Sequence, residues 1–182
     1  MISNSIQKTK DIAKKFAATL QGGDVVLLSG ELGAGKTAFT KGLAEYFSIE
    51  QNITSPTFSL MNVYPIVIPN ERGDISHSTV IPSEPRGDEG SPSGDNWDRD
   101  SSSAFGLARN DKVAKFIHID TYRLKNAQEL IDIGVEDYLG TPNTICIIEW
   151  PKKISELLQN KKTIAVAIEH IDERKRSIAI AK

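Results

Sequence analysis

Val25-Val26-Leu27-Leu28-Ser29-Gly30-Glu31-Leu32-Gly33-Ala34-Gly35-Lys36-Thr37 is the stretch that decides the fold. Val25 to Leu28 is a short, wholly apolar run, the mark of a strand buried on both faces. Gly30 to Thr37 fits G-x-x-x-x-G-K-[ST] in full, and Lys36 to Phe47 reads as a helix, so the motif sits between a buried strand and a helix. There the glycines let the backbone wrap around phosphates, while successive N–H groups and the helix N-terminus offer positive potential to a polyanion. Lys36 adds a point charge at the β- and γ-phosphates. Thr37 offers a hydroxyl to a Mg²⁺ that also takes phosphate oxygens. A glycine-rich turn that binds nothing is the plainer reading; the complete motif in this context favours a nucleotide.

Outward from the motif, helix and strand patterns alternate. Ser5 to Leu20 carries Ile6, Ile12, Ala13, Phe16, Ala17 and Leu20 near helical spacing, and Gly22-Gly23 ends it. Further strands are predicted at Thr57 to Tyr64, Val113 to Ile119, Thr144 to Ile148, Thr163 to Ile168 and Ser177 to Ala181. Asn126 to Ile133 and Lys152 to Gln159 look helical. The alternation predicts an α/β sheet covered on both faces. No internal repeat interrupts it.

One segment breaks the pattern. Pro69 to Ser103 holds 35 residues, 16 of them Gly, Pro or Ser and 11 charged, with only Ile75, Val80, Ile81 and Trp97 apolar. That composition cannot bury a core. None of the 15 lysines lies between Tyr64 and Lys112, whereas four of the seven arginines do. A structureless loop of this length is improbable inside a compact domain, so roughly residues 65–110 read as a disordered, low-complexity insertion at a tolerant surface loop. The rest of residues 1–182 then forms a single domain.

The composition excludes several classes. The chain has 182 residues, 39% of them hydrophobic and 25% charged, with a net charge of −2. Collagen-like, coiled-coil and wholly disordered chains are excluded, and no overall basic field steers the molecule onto nucleic acid. One cysteine, Cys146, the absence of a signal-like apolar stretch in Met1 to Lys15 and the absence of a membrane-length run predict a cytoplasmic protein with no membrane association.

A phosphate loop needs a carboxylate at the end of a neighbouring strand, to hold the Mg²⁺ shell or to position attacking water. Phe116-Ile117-His118-Ile119 ends in Asp120, and Ile145-Cys146-Ile147-Ile148 ends in Glu149. Both stand where an α/β sheet presents ligands, at the carboxyl ends of strands. His118 and Trp150 read equally as core residues, Arg123 as one member of an ion pair, and Thr54-Ser55-Pro56-Thr57 as either a nucleotide-sensing switch or an ordinary turn. Lys152-Lys153, Lys161-Lys162 and Arg174-Lys175-Arg176 read as an RNA or partner surface or, more plainly, as solvated faces. No Cys or His cluster points to zinc.

Gly30 to Thr37, Ser55-Pro56-Thr57-Phe58, His118-Ile119-Asp120-Thr121-Tyr122-Arg123-Leu124 and Ile148-Glu149-Trp150-Pro151, in that order, resemble the TsaE (YjeE) family. Glu129-Leu130 and Gly134-Val135-Glu136-Asp137-Tyr138 also look like it. The resemblance implies a P-loop NTPase-like three-layer α/β/α sandwich with a central, mostly parallel sheet, binding ATP with Mg²⁺ and hydrolysing it slowly. It also implies an accessory role beside TsaD and TsaB, which place threonylcarbamoyl on adenosine 37 of tRNAs reading codons that begin with A. The tRNA would be met only through that complex.

Carried over by position, Gly33, Ala34, Gly35, Lys36, Thr37 and Ala38 match the nucleotide-binding loop, and Thr9 matches a nucleotide-side segment loosely. Lys36 and Asp120 match residues needed for hydrolysis. Glu149 matches a Mg²⁺-associated acid that shares the metal with Thr37. Two departures stand out: Tyr64 and His118 lie 54 positions apart, far beyond the family's short turn, and the C-terminal strands match weakly. A P-loop kinase for a small molecule is the alternative, and a nucleotide-dependent binding module without turnover is a third reading.

Overall fold

Ser5 starts the first helix: its Oγ accepts the Lys8 N–H at 3.0 Å, satisfying an amide that a helix start leaves free. The computed structural model describes residues 1–66 and 114–181. Helix α1, Ile6–Ala17, buries Ile12, Ala13, Phe16 and Ala17, whereas Ile6, expected in the core, is 70% exposed. It packs on α2, Lys36–Tyr46, at a point where a Cβ on Gly42 would stand 2.6 Å from the Lys10 carbonyl oxygen. Only glycine permits that approach. Glu45 of α2 draws in Lys10 at 2.7 Å and Lys14 at 2.6 Å, fastening the pair at its rim.

The strands are β1, Ile2–Ser3; β2, Val25–Ser29; β3, Met61–Pro65; β4, Lys115–Asp120; β5, Thr144–Glu149; β6, Thr163–His170; and β7, Arg176–Ala181. They form one seven-stranded sheet in the order β1-β7-β6-β2-β5-β4-β3. The central four, β6, β2, β5 and β4, run parallel, and β1, β7 and β3 are antiparallel additions at the edges. Alternate residues of β2 and β5 serve opposite faces. Val26, Leu28, Ile145 and Ile147 pack beneath α1 and α2. Val25, Cys146 and Ile148 pack with Leu130 of the short α3, Gln128–Asp132, and with Val135 and Ile154 of two 3₁₀ turns, Val135–Asp137 and Pro151–Ile154. The expected α/β/α sandwich with a mostly parallel centre is therefore observed.

Three expected elements come out differently. The strand expected from Thr57 begins only at Met61: Leu60 N–H bonds the Pro56 carbonyl at 2.7 Å, and Leu60 takes a left-handed φ of 63°, so residues 57–60 are a turn. The helix expected over Lys152 to Gln159 is a 3₁₀ turn at Pro151–Ile154 followed by i→i+3 turns such as Leu157 N–H to the Ile154 carbonyl at 3.0 Å. The helix expected over Asn126 to Ile133 contracts to Gln128–Asp132. Strand β1, two residues paired with β7, was not expected, because two residues carry no periodicity.

Strands β3 and β4 are antiparallel neighbours, with Pro65 opposite Lys115 and the Ile66 N–H on the Ala114 carbonyl at 2.9 Å. The chain thus leaves the sheet edge and returns beside its point of departure. The insertion expected at about 65–110, with its expected disorder, lies outside the described residues from position 67 on. Among the described residues no helix is long and apolar enough to cross a membrane.

Candidate active site

The carboxyl ends of β2, β5 and β4 open on one side of the sheet, and the turn before β3 faces them. After β2 the chain winds through Gly33 at φ 78° and Gly35 at φ 108°, backbone that L side chains rarely adopt. A Cβ built on either glycine would meet no atom within 4 Å. The loop therefore encloses a cradle that side chains at these two positions would fill, at the N-terminus of α2. A polyphosphate fits such a cradle.

Lys36 reaches back into the loop. Its Nζ donates to the Gly30 and Glu31 carbonyls, each at 3.0 Å, and stands 3.9 Å from the ring centre of Trp150. Burial pulls its pKa below the usual lysine value, with the charges of Glu149 and Asp120 pulling the other way. Trp150 holds a left-handed φ of 60° at the end of β5, which turns the chain sharply into Pro151.

Asp120 and Glu149 close β4 and β5 opposite one another in register. Asp120 Oδ2 accepts the Ser55 and Thr57 hydroxyls, both at 2.6 Å, and its Oδ1 accepts the Tyr122 N–H at 2.9 Å. Burial alone would raise the Asp120 pKa, but these three bonds and the neighbouring His118 outweigh it and hold the carboxyl below the usual aspartate value. Glu149 Oε1 accepts the Thr37 hydroxyl at 3.4 Å and lies 3.0 Å from His118 Nε2. Lys36, Thr37, Ser55, Asp120 and Glu149 line one cavity of about 610 Å³.

No group of three or more His, Cys, Asp or Glu side chains gathers to hold a metal among the described residues. Glu149 and the Thr37 hydroxyl are too few ligands for a closed metal cage. They suit a Mg²⁺ that takes its remaining ligands from water and phosphate.

Thr9 and Ala38 share a second cavity, of about 380 Å³, with Gly33 and Gly35 of the same loop. The Thr9 hydroxyl is already bonded within the protein, to Ser3 Oγ at 2.8 Å and to the Ser5 carbonyl at 3.2 Å. Arg174 and Arg176 line the same cavity, and the sequence alone assigns neither a nucleotide contact. The basic run is visible in the sequence, but not the pairing of β7 with β1, the strand just ahead of α1. Lys153, read with the possible partner-facing lysines, donates to the Tyr122 and Leu124 carbonyls at 2.9 and 2.7 Å and so braces the loop after β4. Arg123 pairs with no acid among the described residues; its guanidinium lies 4.3 Å from the ring centre of the exposed Phe58.

The family model for "Threonylcarbamoyl adenosine biosynthesis protein TsaE" matches residues 3–80 and 95–178. The chain belongs to the TsaE family. The protein named tRNA threonylcarbamoyladenosine biosynthesis protein TsaE in Rickettsia bellii is 31% identical over 176 residues, covering 96% of this chain and 89% of that one. The TsaE of Treponema pallidum is 28% identical over 181 residues, 99% of this chain and 98% of its own. The crystal structure of YdiB from Bacillus subtilis superposes with a TM-score of 0.61 at 25% identity, covering 99% of this chain and 82% of YdiB. The membership places the chain in tRNA threonylcarbamoyladenosine biosynthesis.

Proposed function

We propose that this protein binds ATP with Mg²⁺ and hydrolyses it, acting in the cytoplasm as the accessory ATPase of threonylcarbamoyladenosine synthesis together with TsaB and TsaD. The observation that carries the proposal is the pairing of Asp120 and Glu149 at the ends of adjacent parallel strands, beside Lys36 and Thr37, in a cavity that opens on the glycine cradle.

Backbone N–H groups of Gly33 to Thr37 bind the phosphates, and Lys36 exchanges the carbonyls of Gly30 and Glu31 for phosphate oxygens. Mg²⁺, when bound, would neutralise charge developing on the transferred phosphoryl group. Thr37 and Glu149 would hold it. Asp120, kept ionised by Ser55 and Thr57, orients the attacking water. The second cavity, lined by Thr9, Ala38, Arg174 and Arg176 among others, takes the base and ribose. Contact with tRNA runs through the TsaB–TsaD complex.

The test is turnover of labelled ATP by the protein alone and then with TsaB and TsaD. Slow release of inorganic phosphate that rises with the two partners supports the reading. Label passed to a small molecule points instead to a kinase.

A further inference from the structure

We propose that His118 is a positioning residue that sets the Glu149 carboxylate for the metal, an inference resting on the Mg²⁺ role just given to Glu149. His118 is fully buried, on the α2-covered face of β4, one pleat below the Asp120–Glu149 pair. Its Nε2 lies 3.0 Å from Glu149 Oε1, the same oxygen that accepts the Thr37 hydroxyl at 3.4 Å. A carboxylate oxygen can only accept, so Nε2 carries the proton. Neither bond uses Oε2.

The other ring nitrogen marks this histidine as more than filler. Nδ1 is buried and has no hydrogen-bond partner among the described residues. An orphaned polar atom in a core is unfavourable, and an apolar side chain of similar size would remove it. Packing alone would be better served by such a residue, next to Phe116 and Ile147 of the same face. What the imidazole supplies and an apolar residue cannot is the bond to Glu149.

That bond matters because a glutamate has three side-chain torsions and a metal ligand must be still. With Oε1 pinned from below by His118 and from α2 by Thr37, the carboxylate is oriented before anything binds. This is how an outer-shell partner tunes a ligand, and losing one typically weakens metal affinity about tenfold or more.

The experiment is a Mg²⁺ titration of the full chain binding a fluorescent, non-hydrolysable ATP analogue, repeated in EDTA, with circular-dichroism melting as the fold control. Asparagine places its amide near ring Nδ1, glutamine near Nε2. His118→Asn should require about tenfold more Mg²⁺ for half-maximal binding, whereas His118→Gln should lie near the wild type. Binding in EDTA should be unchanged in both. In a Glu149→Gln background the His118→Asn change should add nothing.

A folded His118→Asn with the wild-type Mg²⁺ requirement overturns the proposal, and so does a glutamine variant as impaired as the asparagine one. Equal weakening in EDTA, or failure of both variants to fold, makes His118 a core residue and overturns it too. Wild-type binding that ignores Mg²⁺ defeats the metal reading together with this inference. A Mg²⁺-dependent wild type with an unaltered His118→Asn defeats this inference alone.

Discussion

Asp120 and Glu149 end adjacent parallel strands exactly opposite one another, yet they sit in different company: two hydroxyls hold Asp120, whereas Thr37 and His118 hold Glu149. Different surroundings imply different work. Asp120→Asn should keep ATP binding and lose hydrolysis, while Glu149→Gln should chiefly raise the Mg²⁺ concentration needed. Mg²⁺ titrations of binding and turnover for both variants check this; a shift in Asp120→Asn but not in Glu149→Gln would exchange the roles.

The hydroxyls of Ser55 and Thr57 help to hold the Asp120 pKa below its ordinary value. A carboxyl lowered on folding adds stability above its unfolded pKa of about 3.9, and that stability is lost as pH falls through the lower folded value. The double variant Ser55→Ala/Thr57→Ala should therefore be less stable than the wild type at pH 7. Its disadvantage should shrink as pH drops below about 4. The acid limb of ATP turnover should also move to higher pH. Urea melts across pH 3 to 7 and a pH–rate profile measure the two effects.

Burial pushes the Cys146 thiol up to about 11, and the charge of Lys161, which pulls the other way, does not offset it. The folded protein should leave a disulfide reagent unreacted at pH 8 and react with it once unfolded. Prompt native-state labelling would show that β5 opens readily, at odds with its fully buried strand.

Because Ile66 and Ala114 are already hydrogen-bonded neighbours, a short turn can join β3 to β4. Closing a loop several-fold longer adds only about 1–2 kcal/mol of entropy. Replacing residues 69–103 with a short Gly-Ser turn should leave ATP hydrolysis and its stimulation by TsaB and TsaD near wild type, with stability equal or slightly higher. A shortened protein that binds ATP but loses its partners would make the segment a working part.

Much of this was legible in the sequence where information is local. An apolar run followed by the glycine motif specifies strand, cradle and helix, and two apolar runs ending in acids specify Asp120 and Glu149 at strand ends. Contacts between distant residues were not legible: Ser55 reaches Asp120 across 65 positions and His118 reaches Glu149 across 31. Only the assembled strands bring Ser55 and Thr57 onto Asp120 and His118 onto Glu149, contacts on which the switch-or-turn reading of Thr54 to Thr57 and the core-or-functional reading of His118 turn. Arg174 and Arg176 escaped for the same reason. The helix expected over Lys152 to Gln159 has suitable spacing, but the segment forms only a 3₁₀ turn and i→i+3 bonds.

The most direct measurement is calorimetry of ATP binding to the wild type and to Lys36→Ala, each with Mg²⁺. The Lys36 ammonium bonds two loop carbonyls and stands over the Trp150 ring, and the loss of these contacts at the mouth of the loop should leave the melting curve close to wild type. The wild type should bind ATP, and the variant should bind it at least about tenfold more weakly and release no phosphate. Unchanged ATP affinity in a folded Lys36→Ala protein would remove the glycine cradle from the mechanism and contradict the nucleotide-binding function.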